Sequence, residues 1–196
     1  MKKLLLAAII SLSTISTATL AEIKVGIILG FTGPIESLTP AMRDGAKVAF
    51  KEASNSGNFY KDETLKVLEG DSTCVNAEVA VKSAEDLLKK GVVAIMGADC
   101  SGVSDAVARN VAVPNSTVMI SPSATSPGLS RINDNGLFWR TAPSDTRIAQ
   151  LLAQLTIERG IKKIAITYVD NDYGRGLADA LAMSLGQSLI ILVIFL

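Results

Sequence analysis

Ile23–Gly30 reads IKVGIILG, an almost unbroken apolar run. A strand with one wet face alternates apolar and polar residues. A strand covered on both faces has no need to. The stretch therefore predicts a strand covered on both faces, as in a mainly parallel sheet of an α/β fold.

The elements that follow alternate in the same sense. Thr39 is read as the cap of a helix from Pro40 to about Ala53, with Met42, Ala46, Ala49, Phe50 and Ala53 on one face. Leu65–Glu69 is a second strand. A helix over Asn76–Lys90 turns Ala80, Ala84, Leu87 and Leu88 inward and stops at Gly91. Val92–Ala98 is the third strand, and a helix over about Ser101–Asn110 follows. Short strands are expected at Val118–Ile120 and Leu137–Thr141. Ser144 or Asp145 caps a helix to Arg159, Lys163–Val169 is a strand, and Tyr173–Leu185 a helix. Regular β-α-β alternation implies an α/β fold with right-handed crossovers. Thr141–Asp145 (TAPSD) is the best candidate for a crossing between two lobes.

The first 21 residues read as an export signal. Lys2 and Lys3 are followed by the apolar Leu4–Ile10, and Thr19 and Ala21 suit signal-peptidase cleavage before Glu22. The apolar run is short for a membrane anchor. Without Lys2 and Lys3, the 19 basic and 19 acidic residues become a net charge of about −2. That balance gives no electrostatic footprint for nucleic acid. Cys74 and Cys100 are the two cysteines, and an oxidising compartment favours a disulfide over two buried thiols. There is no histidine. This removes Ser-His-Asp triads, imidazole acid–base chemistry and most zinc sites.

Ligands of open parallel sheets bind outside the carboxyl ends of the strands. Four loops fall there: Phe31–Leu38, Asp71–Cys74, Asp99–Gly102 and Ser121–Ser126. All are rich in Gly, Ser, Thr or Asp. Ser101 begins a helix, where free N–H groups favour an anion. Ser123 and Thr125 add hydroxyl donors. The expected ligand is small and anionic or zwitterionic. Taken singly, Ser101 reads as an ordinary helix cap and Ser121–Ser126 as a proline-braced loop; their convergence on one edge favours a site.

Other motifs are weaker. Ala182–Gly186 lies one residue from a nucleophile elbow but falls late in a helix. Gly174-Arg175-Gly176 is only part of a dinucleotide loop. Asp71, Asp99, Asp170 and Asp172 read as turn and cap residues rather than metal ligands. No nucleophile–base pair is visible, so the chain is read as a non-enzyme without a metal or cofactor.

Taken in order, IKVGIILGFTGP, DSTC, IMGADCSG, ISPSATSP, LFWRTAPSD and IAITYVDNDYGRGLADAL resemble the periplasmic substrate-binding proteins of branched-chain amino acid ABC transporters. The resemblance covers roughly residues 22–185. It implies a type I periplasmic binding-protein fold, with a first lobe over 22–141 and the start of a second, truncated lobe over 142–196. It implies a Cys74–Cys100 disulfide beside the site. Ser101 would hold a ligand carboxylate, Ser123, Ala124 and Thr125 would add backbone and hydroxyl contacts, and Tyr173 would reach in from the second lobe. Leu38 stands where relatives often carry an aromatic cover, which leaves the ligand's identity open. The implied partners are an amino acid and a membrane permease, and the implied state is a periplasmic monomer. An extracytoplasmic sensor and a non-functional fragment are the alternatives. Leu189–Leu196 reads as a second-lobe strand cut short by a frameshift or stop, as the boundary of a split chain, or as a membrane anchor too short to span.

Overall fold

The computed structural model describes residues 22–59, 63–186 and 190–195. The expected signal segment, and Leu189 and Leu196 of the tail, lie outside these residues. β1 (Glu22–Leu29), β2 (Thr64–Asp71), β3 (Val92–Gly97), β4 (Val118–Ser121) and β5 (Phe138–Arg140) form one sheet in the order β2-β1-β3-β4-β5. All four pairings are parallel. The run that predicted a strand covered on both faces occupies β1, between β2 and β3. Val25, Ile27, Ile28 and Leu29 are all buried, so both of its faces are covered.

α2 (Ala77–Lys89) packs against β1, β2 and β3 through Ala80, Ala84 and Leu87. Gly26 permits that approach: a Cβ there would stand 3.0 Å from Leu87 Cδ1. Asn76 Oδ1 caps the helix by accepting from Val79 N at 3.1 Å. α3 (Ser101–Val107) adds Val103 and Val107 to the same core. The helix does not stop near Asn110 as expected. A wider turn carries it through Ala112, and Val113 N donates to Ala108 O at 2.9 Å. The extra width keeps Val111 and Ala112 buried in the core.

α1 (Thr39–Asn55) corrects two expectations. Thr39 is not the cap but the first helical residue, fully buried, and its hydroxyl donates to Glu36 O at 3.1 Å. The expected inward face is only half-buried, and Ala49 is exposed. The opposite end of that sheet face is also open. Val118, Ile120 and Trp139 stand exposed on β4 and β5, with Ile120 and Trp139 paired in register.

The crossing after β5 leads to α4 (Asp145–Glu158), β6 (Lys163–Tyr168), α5 (Asp172–Leu185) and β7 (Ile190–Phe195). α4 and α5 pack together, and β6 and β7 form a separate parallel pair. The tail's backbone is thus a strand, as one reading of it expected. Ser144 Oγ accepts from Thr146 N at the start of α4, and Asn171 Oδ1 accepts from Gly174 N at the start of α5.

Candidate functional site

The chain leaves β1 for β2 on one side and returns to β3 on the other, so the strand order reverses between β1 and β3. Ligand crevices form outside the carboxyl ends at such a reversal. Here those ends are held by one buried carboxylate. Asp99 is 3% exposed and follows β3. Its Oδ2 accepts from Gly30 N at 2.7 Å, at the end of β1. Its Oδ1 accepts from Ser72 Oγ at 3.2 Å, after β2, and from Cys100 N at 3.0 Å. One side chain therefore ties together three strand ends.

The disulfide adds a covalent tie at the same place. Cys74 and Cys100 are bonded, with their Cα atoms 5.2 Å apart. Closing a loop with a sequence separation of 26 contributes on the order of 3 kcal/mol. Asp71 orders the neighbouring loops. It accepts from Thr32 Oγ1 and from Thr73 N at 2.8 Å. Burial pushes its carboxyl pKa up, but the bonds from Thr32 and Thr73 outweigh that and hold it below the usual range.

Most hydroxyls of the serine-rich loop are already committed. Ser121 Oγ donates to Ala98 O and accepts from Ala124 N at 3.0 Å. Ser123 Oγ donates to Asp99 O at 2.9 Å, and Thr125 Oγ1 to Asp145 Oδ2 at 2.7 Å. The loop is braced by its own donors, which spacing alone did not reveal. Ser101 is 3% exposed and accepts from Ser126 N at 3.1 Å. As an acceptor it retains a hydrogen to donate.

α5 reaches this cluster through small residues. Ser126 Oγ donates to Asp172 O at 3.2 Å. A Cβ on Gly176 would stand 2.7 Å from Ser126 Oγ, and one on Gly102 would stand 3.0 Å from Asp172 Oδ2. A Cβ on Gly174 would meet Val169 O at 2.1 Å. The Gly174-Arg175-Gly176 segment is thus used for close packing. A cavity of about 280 Å³ opens beside the contact, lined by Ser101, Asp105, Arg109, Ser126, Asp172 and Arg175 among others.

The structure brings Cys100, Ser101, Ser123, Ala124 and Thr125 together around β3 and β4, and of these Ser101 alone lines the cavity. Tyr173, 45% exposed, starts α5 next to Asp172 but does not line the cavity. Leu38, 56% exposed, lies before α1 and does not line it either. Among the described residues no three His, Cys, Asp or Glu side chains come together as a metal site. Asp170 instead pairs with Arg175 at 2.6 Å.

Comparison with known proteins follows the same outline. The profile of a family described as the receptor family ligand binding region matches residues 41–192. The chain belongs to this family. It is 26% identical over 173 residues to Leu/Ile/Val-binding protein homolog 3 of Brucella melitensis, covering 88% of this chain and 46% of that protein. It is 29% identical over 194 residues to the leucine-specific-binding protein of Salmonella typhimurium, covering 98% and 52%. Among solved structures, it superposes on an ABC transporter substrate-binding protein of Desulfitobacterium hafniense in complex with Leu. The TM-score is 0.71 and the identity 28%, over 89% of this chain and 50% of that one. The leucine-binding protein LivK of Thermotoga maritima gives a TM-score of 0.78 at 21% identity, over 89% and 49%, and supports the fold alone. The fold of this family member is the type I periplasmic binding-protein fold. The chain spans about half the length of the curated relatives it matches.

Three residues at the site were not singled out for it from sequence. Asp99 was read as a turn residue, Asp145 as a helix cap, and Arg140 as part of a short strand. Their partners lie 14 to 69 positions away for the bonds from Arg140 to Ser126 and from Gly30 to Asp99. No local pattern carries such pairings.

Proposed function

We propose that the chain carries the carboxylate-binding part of an extracytoplasmic amino-acid-binding protein that serves an ABC transporter. The reading is supported above all by one observation: Ser101 and the Ser121–Ser126 loop meet at the strand-order reversal, joined by the Ser126 N–Ser101 Oγ bond. Ser101 Oγ–H and Thr125 N–H would donate to the ligand carboxylate. Ser123 and Ala124 shape the wall, and Cys100 is locked beside it. Residues 22–141 form the first lobe. The second lobe begins at 142 and brings Tyr173 toward the ligand on closure, with Leu38 covering from the first loop.

Work is done by binding and hinge closure, with no covalent chemistry. A ligand held between two lobes favours the closed arrangement by its differential contacts in that state. The protein is a periplasmic monomer that delivers an amino acid, branched-chain or a similar small carboxylate, to a membrane permease. A sensory role is the second reading, favoured by the family's description as a receptor region. A signalling segment encoded in the same reading frame would decide for it.

The test is calorimetry of the purified chain against leucine, isoleucine and valine. Ser101→Ala is expected to weaken binding by about 1–3 kcal/mol, the range for a hydrogen bond to a charged group. Thr125→Ala keeps the backbone N–H and is expected to weaken it less, through loss of the bond to Asp145 that braces the loop. Thermal midpoints measured in parallel separate that loss from loosening of the loop. Unchanged affinity in Ser101→Ala would remove the site from Ser101.

A further inference from the structure

Arg140 ends β5, the edge strand of the five-stranded sheet. Its guanidinium folds back over the ligand loop. Nη1 donates to Ser126 O at 2.9 Å and to Ala124 O at 3.3 Å, and Nη2 donates to Ser130 Oγ. The group is partly buried. Burial pushes its pKa down from the usual arginine value, and the charge of Asp145 opposes that. A cation drawn out of water against neutral carbonyls costs desolvation, so its placement needs a reason.

The reason lies in what those carbonyls flank. Ala124 N donates to Ser121 Oγ, and Ser126 N to Ser101 Oγ. Thr125 O accepts from Asp145 N at 3.0 Å, while Thr125 Oγ1 donates to Asp145 Oδ2. With Arg140 on Ala124 O and Ser126 O, the backbone polar groups of residues 124–126 are all engaged save one. Thr125 N–H makes no hydrogen bond among the described residues. Arg140 and Asp145 also stand at the two ends of the crossing over residues 141–144. The loop is gripped from both ends of the crossing.

We propose that Arg140 is the positioning residue of the ligand loop, fixing residues 124–126 so that Thr125 N–H is held open for a ligand acceptor. The inference rests on the binding function argued above. Its chemistry is that of a rigid fork: Nη1 serves the carbonyls of Ala124 and Ser126 while Nη2 holds Ser130 Oγ, whereas an ammonium is a single point charge on a flexible stem and lacks the second arm. Charge assistance makes these bonds stronger than neutral ones.

The experiment compares wild type, Arg140→Met and Arg140→Lys in the full chain. Amide hydrogen exchange is read at residues 123–126 and 145, with leucine affinity and the thermal midpoint measured alongside. Arg140→Met is expected to speed exchange at Ser126 and Asp145 about tenfold and to weaken leucine binding by a similar factor, the scale of one charged hydrogen bond. Exchange in β1 and α2 stays at the wild-type rate. Arg140→Lys recovers part of both effects. Should Arg140→Met fail to fold, Arg140→Lys and Ser130→Ala carry the comparison. Wild-type exchange at Ser126 and Asp145 in the folded variants overturns the proposal, as does full recovery by lysine. If wild type binds no amino acid, the functional reading fails, and the exchange rates still decide the role of Arg140.

Discussion

Gly97→Ala is expected to be the most destabilising single substitution in the chain. Gly97 ends β3 beside β1, with φ at +130°, a conformation that L side chains rarely adopt. A Cβ built there stands 2.0 Å from Ile28 O and 2.9 Å from Ile28 C. Both atoms belong to the backbone of β1, so no flexible side chain can yield. The dihedral alone costs about 1–3 kcal/mol. Relief of the clash requires parting β1 from β3 where their pairing defines the site. The combined loss should exceed about 4 kcal/mol, against a typical total stability of about 5–15 kcal/mol. Urea denaturation followed by circular dichroism measures it. A loss below about 1 kcal/mol, the centre of the range for ordinary substitutions, would show that the close approach is not as described.

Asp99→Ala should produce the second-largest effect, by another mechanism. No clash arises, but the acceptors for Gly30 N, Cys100 N and Ser72 Oγ vanish together. Each buried donor left without a partner costs about 1–3 kcal/mol. A total near 3 kcal/mol or more is expected, with some donors rescued by water. Asp99→Asn keeps one acceptor oxygen and should cost roughly half as much. The pair of variants distinguishes an acceptor role from simple packing, because asparagine nearly preserves volume. Equal losses in the two would assign Asp99 a role through its charge instead. Exchange rates of the Gly30 and Cys100 amides report the same point residue by residue.

These two positions also show where reading the sequence succeeds and fails. Hydrophobic pattern exposes burial, and so the chain revealed β1, α2, β3 and the parallel architecture. Cap and stop residues are local, and Asn76, Ser144 and Gly91 lie at the ends they predicted. Thr39 misled because it precedes a proline, as a cap residue would, yet its side chain is spent on Glu36 O inside a buried first turn. Ala49 misled because a helical stripe predicts an inward face only if something covers it, and α1 is covered only in part. The site's outline was legible because four polar loops fall on one sheet edge. Its wiring was not. Whether Ser123 faces a ligand or Asp99 O, and whether Arg140 points to water or to Ser126 O, depends on partners brought near by the fold. Gly174 and Gly176 match only part of a dinucleotide loop, because glycine marks close approach of any kind. Here the neighbours are Val169 O and Ser126 Oγ.

The chain joins a near-neutral, histidine-free sequence to a proposed site built from serines, a threonine and backbone N–H groups. Such a site suits reversible capture of a small carboxylate more than its chemical conversion. Its supports are a disulfide, a buried aspartate and an arginine fork, all placed behind the loops rather than in the cavity. Gly102 and Gly176 let α5 approach the loops closely.

The central claim is that an amino acid carboxylate docks between Ser101 and Thr125. The most direct measurement is a titration of the isotopically labelled chain with leucine, read at every backbone amide by NMR. The account predicts saturable shifts largest at Thr125, Ser101 and Gly102, which Ser101→Ala weakens without altering the shifts of β2 and α2. Saturable shifts confined to other surfaces, such as the exposed Ile120–Trp139 face, or no saturable shift with any of leucine, isoleucine and valine, would contradict it.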